Sequence, residues 1–446
     1  MNAGTPAAAG PDLAPRLPRL LGLAVVIGIL ASAGAVLFVS VEHWLQHALW
    51  HGLPEEFGWQ EPASWWVVVL LVTGALLVWG ALHLPGNGGH APLDGFGLSI
   101  GPREVGSVVL AAMASLAFGA VLGPEAPLLA IGTATAAFLA RGSLQSEVGI
   151  LVAAGAMAGI GSIFGNPLVT AILVLEFMVL RGGAGGPSAV TELLPILTAL
   201  GFGYLLQVGV GTSWSGFGES KLAVPGLPAY PSVLVRDLLV AVVLAAAVAV
   251  ITTLSFRLGI GVRTAVRPRP LAGLLVAAVL IAGAALAVRS AEGLPVEVVL
   301  FSGQSAIGDV LAIGSVGTLL LVAVVKALAY GVSLGSGFRG GMVFPSVFIG
   351  VALGVATALI VDEASLSAFV AAGIAAGAAA SMRLPFTSVL LAVLLCSESG
   401  YAMTSVAIPA AAVGLLVRAV IDAAFERRAA TDAQDVPEGT GAPAGH

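Results

Sequence analysis

The stretches GPEAPLLAIG at residues 123–132 and GMVFPSVFIG at residues 341–350 share one spacing of Gly, Pro and Gly and lie 218 positions apart. The same offset aligns AAGAMAG, which begins at Ala153, with AAGIAAG, which begins at Ala371. One offset that holds without a gap over some 50 residues indicates an internal duplication, because self-similarity at a fixed spacing marks a repeated structural unit. The alternative is an old duplication that now serves packing alone.

The composition places this duplication in a membrane. Hydrophobic residues make up 58% of the 446 residues and charged residues only 9%, against roughly 25% charged in a soluble domain. Such a chain cannot cover a water-facing surface. Some of its apolar segments are long enough to cross a bilayer, which takes about 20 residues. Others are too short to cross alone, and glycine and proline interrupt several of them. The predicted fold is therefore an all-α membrane protein of broken and tilted transmembrane helices. The net charge of −6 argues against a nucleic-acid partner.

Positive charges predict the direction of the two halves. Arginines precede the first apolar run, at residues 20–40, and follow the apolar run at residues 234–256, which is its counterpart at the offset of 218. By the positive-inside rule, the first run crosses the membrane from the cytoplasm to the outside and the second crosses from the outside to the cytoplasm. Arg427 and Arg428 place the C-terminus inside as well. The sequence thus predicts two inverted-topology repeats in the cell's inner (plasma) membrane, with both termini cytoplasmic.

The repeat also predicts how the chain divides. Residues 1–15 are rich in Ala, Gly and Pro and are expected to be disordered. The first transmembrane repeat is expected over residues 16–215, a linker over 216–233, the second repeat over 234–425, and a cytoplasmic tail over 426–446.

A glycine-rich turn opens a helix at the repeated motif of each half. Glycine lets a backbone approach a ligand closely, and a helix N-terminus offers unpaired N–H groups and about half a positive charge. In transporters built from inverted repeats, the site lies at the repeat interface, at the ends of discontinuous helices. Two such ends predict an anion site without a fixed full charge. Glycine-mediated helix packing is the alternative interpretation.

Glu125 favours the anion site. It is an ionisable residue within an apolar stretch, in the first turn of such a helix, and carboxylates inside a membrane are costly and functional by default. Its charged form can occupy an anion site at a helix N-terminus, and its protonated form can leave. This makes Glu125 a candidate gate and proton carrier. The alternative is a glutamate that only caps the helix.

Other polar side chains leave two interpretations open. Lys326 either raises the local anion potential or extends to the interface. Arg339 either attracts anions at the pore mouth or pairs with an acid. Glu176 and Glu398 end apolar runs and are expected to cap helices at the interface.

Patterns for metal binding and for catalysis are weak or missing. His43, His47 and His51 are spaced by four residues on one helical face, which suits a metal site less well than an amphipathic interfacial turn. We therefore predict no metal and no cofactor. The chain contains no Walker, HExxH or nucleophile-elbow pattern, so it is not expected to be an enzyme.

Three motifs together carry a family resemblance. GPEAP, GNPLVTAILVLE and GSGFRGGMVFPSVFIG resemble stretches of the CLC family of chloride channels and chloride/proton antiporters, where the counterparts read GREGP, GAPIGGVLFSLEE and GSGIPGGIFAPSLFIG. The resemblance spans residues 20–425 and implies a homodimer with an independent pore in each subunit. It also implies a gating glutamate, which falls on Glu125.

The resemblance further implies an anion site. A pore serine of the family falls on Asn87, within GNGGH. By the same resemblance, backbone amides of the GMVFP motif at residues 341–345 are expected to bind the anion, at Met342 and Val343. The anion-binding positions carried over are Asn87, Gly341, Met342, Val343 and Phe344.

Two departures from the family pattern bear on mechanism. No residue after Tyr401 supplies the family's pore tyrosine. The antiporters' internal proton-transfer glutamate falls on Phe177, which leaves Glu176 as the candidate for a proton path. A passive channel is therefore slightly favoured over proton-coupled exchange. Fluoride stays open beside chloride, because fluoride exporters of the family also depart at the serine motif. A transporter of cations or organic solutes is the alternative from another class.

The inverted topology can be tested by cysteine accessibility. In a Cys396→Ala background, a single cysteine placed near position 265 should react with an impermeant thiol reagent only from the cytoplasmic side, as should a cysteine in either terminal segment. Labelling near position 265 from outside would exclude the inverted arrangement.

Overall fold

The computed structural model describes residues 17–95, 97, 100–140, 147–180, 187–213 and 223–434. The predicted disordered segment 1–15, most of the linker's first half and the end of the tail lie outside the described residues. The α-helices within the described ranges are α1 (Leu17–His47), α2 (Leu53–Glu56), α3 (Ser64–Ala81), α4 (Val105–Leu116), α5 (Glu125–Leu139), α6 (Val148–Phe164), α7 (Pro167–Leu180), α8 (Pro187–Ser213), α9 (Val235–Val266), α10 (Pro270–Glu292), α11 (Ile307–Leu311), α12 (Val316–Ser336), α13 (Val343–Val361), α14 (Leu366–Met382), α15 (Pro385–Leu395) and α16 (Thr404–Gln434).

These helices make an all-α membrane protein, as the composition predicts. Nine helical spans among the described residues are long and apolar enough to cross a bilayer, and α4, α5, α6, α7 and α15 are apolar but shorter. Helices of this length end before they have crossed a bilayer. Their free N–H and C=O groups therefore have to be satisfied by other protein segments.

The helix bounds reproduce the sequence offset. α14 begins and ends 218 residues after α6, and α13 begins 218 residues after α5. The same holds for the starts of α9 and α1 and for those of α15 and α7. The two halves thus repeat one order of helices. The limits drawn from the sequence at residues 215 and 234 stay a prediction.

The halves run in opposite directions through the membrane. α3 follows α1 through a short connection and runs back, so Asp94, which follows α3, lies on the side where α1 begins. Arg263, near the end of α9, donates to the Asp94 carboxylate at 2.6 Å. α9 therefore ends on the side where α1 begins, which we call the α1-start face. The opposite side is the α1-end face, where Arg289 of α10 donates to the carbonyl of Pro62 and the hydroxyl of Ser64 at the start of α3.

Glycine pairs hold the central helices together in each half. Gly132 of α5 faces Gly155 of α6, and at the offset of 218 Gly350 of α13 faces Gly373 of α14. A Cβ atom on any of these four glycines would overlap the backbone of its partner. Backbone-to-backbone packing of this kind is how helices associate in lipid, where no hydrophobic force drives them together. It buries α13 and α14 at the centre of the molecule.

This packing predicts opposite effects for one substitution at two glycines. Gly350→Ala should lower the free energy of unfolding by about 1–3 kcal/mol, because the added methyl overlaps the carbonyl of Gly373 and overpacking costs that much. Gly283→Ala in α10 meets nothing within 4 Å and should be neutral or stabilising, because alanine favours a helix. The thermal midpoint in detergent, followed by gel filtration, measures both. Equal midpoints for the two variants would contradict the packing argument.

Candidate functional site

The N-termini of α5 and α13 meet at the centre of the fold. Gly123 donates its N–H to the carbonyl of Gly341 at 2.9 Å, and the Gly341 N–H donates back to the carbonyl of Gly123. The two glycines are equivalent positions of the repeat, so the two hydrogen bonds are also equivalent. Such reciprocal contacts are what a two-fold axis between the halves produces.

Two serines extend this reciprocity to the turns before the helices. The Ser115 hydroxyl accepts the backbone N–H of Arg339 at 2.8 Å, and its equivalent Ser333 accepts the backbone N–H of Val121 at 3.1 Å. Each serine donates to the carbonyl four residues earlier in its own helix. The freed backbone groups of the broken helices thus find partners across the repeat interface.

The Glu125 side chain breaks the symmetry. Its Oε1 accepts the backbone N–H groups of Val343 at 3.0 Å and Phe344 at 3.1 Å, at the start of α13. The side chain is fully buried, and its Oε2 has no hydrogen-bond partner among the described residues. The repeat equivalent of Glu125 is Val343, which carries no charge. One half therefore supplies a carboxylate, and the other supplies the helix N-terminus that binds it.

The other predicted positions of the second motif play different parts. The Gly341 amide pairs with Gly123. Met342 is the residue before α13, and its carbonyl accepts the hydroxyl of Tyr330 at 2.7 Å. Tyr330 is fully buried in α12 and was not singled out from the sequence. The sequence did contain a signal for Tyr330. It is a polar side chain one helical turn after Lys326, on the same face of an apolar helix that leads into the glycine turn.

Lys326 is held by backbone carbonyls. Its ammonium donates to the carbonyls of Val298, Val299 and Leu300 at 3.3, 3.1 and 2.9 Å. It also lies 4.2 Å from the centre of the Phe348 ring of α13. The side chain is fully buried, so it does not extend to the interface. Its effect on the anion potential stays a prediction.

Arg339 lies beside the GNGGH turn. Its guanidinium donates to the backbone carbonyl of Asn87 at 3.3 Å. Asn87 adopts a left-handed conformation with φ of 49° and is exposed, so the structure brings its carbonyl, and not its amide side chain, to Arg339. The predicted anion contact of Asn87 stays a prediction.

Two cavities lie on either side of Glu125. The one towards the α1-start face measures about 30 Å³ and is lined by residues including Arg339, His90, and Ala126 and Pro127, which follow Glu125. The one towards the α1-end face measures about 170 Å³ and is lined by Leu122, Pro124, Leu116, Phe301, Glu42, His43, Gln46, Ser302, Gln304 and Ser305. We call them the inner and the outer cavity. The backbone before Glu125 contacts one cavity and the backbone after it contacts the other.

Glu176 has the contacts of a helix cap. Its carboxylate accepts the backbone N–H groups of Phe386 at 3.0 Å and Thr387 at 2.9 Å, together with the Thr387 hydroxyl at 2.8 Å. These donors open α15. The structure therefore attaches Glu176 to α15 and gives it no hydrogen bond to the residues around Glu125 that it describes.

The three histidines lie along the end of α1 and the helical turn after it. The rings of His47 and His51 are 5.5 Å apart, and His51 lies 3.9 Å from the carboxylate of Glu297. Within the described ranges, no group of three His, Cys, Asp or Glu side chains is arranged to hold a metal ion.

Comparison with known proteins identifies relatives across most of the chain. The family model for the voltage gated chloride channel matches residues 87–418. The putative ion-transport protein YfeO of Shigella boydii serotype 4 (strain Sb227) is 30% identical over 349 residues, which cover 74% of this chain and 77% of the relative. YfeO of Escherichia coli (strain K12 / DH10B) is 29% identical with the same coverage.

Solved structures share the fold. The crystal structure of a slow cyanobacterial Cl⁻/H⁺ antiporter superposes with a TM-score of 0.71 at 21% identity, over 93% of this chain and 98% of that one. A CLC-type fluoride/proton antiporter superposes with a TM-score of 0.67 at 19% identity, over 90% and 95% of the two chains. These likenesses confirm the predicted fold class.

The cap geometry of Glu176 predicts a loss of stability without a loss of gating. Glu176→Ala should lower the free energy of unfolding by about 0.5–2 kcal/mol, the usual cost of removing a cap, and anion flux should keep its pH dependence. Glu398→Ala removes an exposed carboxylate and is the matched control for stability. A Glu176 variant of unchanged stability whose flux has a new pH dependence would support a proton path instead.

Proposed function

Because this chain belongs to the CLC family of voltage-gated chloride channels, we propose that it carries a small inorganic anion, chloride or one like it, through a pathway gated by Glu125. The proposal rests on one observation. The Glu125 carboxylate accepts two backbone N–H groups at the start of α13. A negatively charged oxygen already occupies the place that a permeating anion needs.

The chemistry of this place suits conduction. A helix N-terminus offers oriented N–H donors and about half a positive charge, which attracts an anion without a fixed cation. Conduction needs binding that is strong enough for the ion to enter and weak enough for it to leave. Among the described residues, no lysine or arginine side chain donates a hydrogen bond to Glu125. An anion that replaces the carboxylate therefore meets dipoles, from which it can dissociate.

The two cavities extend this site towards the two faces of the membrane. The positive charge of Arg339 at the inner cavity raises the local concentration of anions, as charged rings do at channel mouths. Glu125 stands between the inner and the outer cavity, so its carboxylate blocks the passage when it lies on α13. Protonation removes its attraction to the helix N-terminus, and the side chain then gives way to the anion.

Passive conduction is favoured over obligatory exchange for protons. The structural neighbours are titled as Cl⁻/H⁺ and fluoride/proton antiporters, but such coupling needs a second acid that delivers protons from the other side. Phe177 stands at the position where the family places it, and the carboxylate of Glu176 is bound to α15. Fluoride/proton exchange is the alternative within the family.

The assembly and location remain parts of this proposal. We propose a homodimer in the plasma (cell inner) membrane, with both termini in the cytoplasm. A cation or organic-solute transporter is disfavoured, because the central site presents N–H donors, and Glu125 itself accepts from them.

Glu125→Gln is the experiment that tests the gate. The neutral amide loses the charge–dipole attraction that holds the carboxylate, about 0.3–1 kcal/mol when exposed and up to about 2 kcal/mol when partly buried. Anion flux in liposomes should therefore persist or rise, and its dependence on pH should flatten. Bromide soaked into crystals of the variant should give anomalous density beside the Val343 and Phe344 amides.

Glu398→Gln serves as the control, because it removes an exposed carboxylate and should leave both flux and pH dependence unchanged. If Glu125→Gln keeps the wild-type pH dependence, Glu125 is a cap and not a gate. Robust uphill proton pumping by an anion gradient in wild-type liposomes would show that the preference for passive conduction is wrong.

A further inference from the structure

The outer cavity contains a second buried acid. Glu42 of α1 lines this cavity, and its side chain is only 9% exposed. Its titratable neighbour is His43, whose Nε2 lies 3.5 Å from the carboxylate. Glu42 lies well inside α1 and caps neither end of that helix. A buried carboxylate without a structural task is a candidate functional group, because carboxylates are seldom buried.

The outer cavity has the size and lining to hold water. A volume of about 170 Å³ accommodates several water molecules, since one needs roughly 10–15 Å³ of such space and two to four polar partners. Gln46 of α1 supplies such partners on one wall. Ser302, Gln304 and Ser305 supply them on the opposite wall.

The wall opposite α1 is fixed in place. Lys326 binds the carbonyls of Val298 through Leu300, directly before this wall. The next residue, Phe301, adopts a left-handed conformation with φ of 58°, and its ring packs edge-on against Trp50 at 5.1 Å. The polar residues that follow are therefore held at the cavity.

The cavity reaches the gate from the side of Leu122 and Pro124. Glu125 itself is fully buried, so a gate that responds to pH needs a route by which protons arrive. The inner cavity is a poor route, because it has room for only a few water molecules and the positive charge of Arg339 repels protons. The outer cavity is larger, and the charge on its lining is the acid of Glu42. Protons are thus repelled at the inner cavity and attracted at the outer one.

We propose that Glu42 is a relay that exchanges protons between the solution at the α1-end face and Glu125, through water in the outer cavity. This inference rests on the proposed gating role of Glu125. The Glu42 carboxyl gives its proton to a cavity water, and that water passes a proton to Oε2 of Glu125, the oxygen without a hydrogen-bond partner. Glu42 then takes a proton from the solution, so charge and protons balance. When the solution is basic, the sequence runs in reverse: Glu125 loses its proton through the cavity water to Glu42, and the gate closes.

The charged groups that face Glu42 are few. On α1 it faces His43. The described lining residues from α4, from the turn before α5 and from residues 301–305 include no other titratable side chain. Farther along, His51 pairs with Glu297 at 3.9 Å. The response assigned to Glu42 therefore belongs to the pair of Glu42 and His43.

Glu42→Gln tests the relay, because it keeps the size and hydrogen-bonding ability of the side chain and removes the exchangeable charge. Right-side-out and inside-out membrane vesicles from expressing cells, loaded with a halide-sensitive dye, are subjected to a rapid pH jump on their outer surface. The change in anion flux should be slower in the variant by on the order of 100-fold, the usual contribution of a positioned proton-transfer group. This slowing should occur for a jump at the α1-end face only. Glu42→Asp should restore much of the rate.

Glu55→Gln is the matched control. It removes an exposed carboxylate near the same face and should respond like the wild type. A monodisperse Glu42→Gln protein that responds at the wild-type rate from both faces, or that is slowed equally from both, overturns the relay. Failure of the gate itself is recognised separately, because Glu125→Gln would then keep the pH response of the wild type whatever happens at Glu42.

Discussion

The reciprocal backbone pairing of Gly123 with Gly341 is the constraint on which the rest of the structure depends. It fixes two helix N-termini against each other inside the membrane, where a broken helix survives only if protein groups satisfy its backbone. It also leaves room for the Glu125 side chain. A Cβ atom at either glycine would collide with the Glu125 carboxylate. The same two residues therefore join the halves and admit the side chain that lies between them.

The backbone contacts of this junction are the same in both halves, but the side chains at the two helix N-termini differ. Ser115 and Ser333 bind the opposite half in matching ways, so the turns before α5 and α13 are fixed equally. A fully symmetric site would present two helix N-termini and no acid, or two acids that repel each other. The chain has Glu125 in one half and Val343 in the other. It thus combines one acceptor with one set of donors, and in the proposed function this single side chain decides whether the site is open to an anion.

The sequence predicted what depends on spacing and missed what depends on backbone partners. The offset of 218 predicted the junction itself, because Gly123 faces Gly341 and Glu125 accepts from Val343 at that same offset. The partners of Lys326 are three carbonyls of a non-repeated turn, which no residue type reveals. For the same reason the sequence did not reveal that the backbone carbonyl of Asn87 accepts from Arg339.

The full positive charges near Glu125 do not lie at the helix N-terminus that its carboxylate contacts. Lys326 is buried, but its ammonium is occupied by three carbonyls, and Arg339 lies at the inner cavity, beyond the helix N-terminus. A full positive charge in direct contact with the anion would hold it too firmly for rapid exit. In the proposed function, the charge of Arg339 at the mouth concentrates anions, and the dipole at α13 then binds each one weakly. The competing ligand is a carboxylate on the same chain, whose local concentration is constant and whose charge depends on a proton. In the proposed gate, the fraction of open sites is therefore set by anion concentration and pH together, and such a gate responds to both even where no proton crosses the membrane.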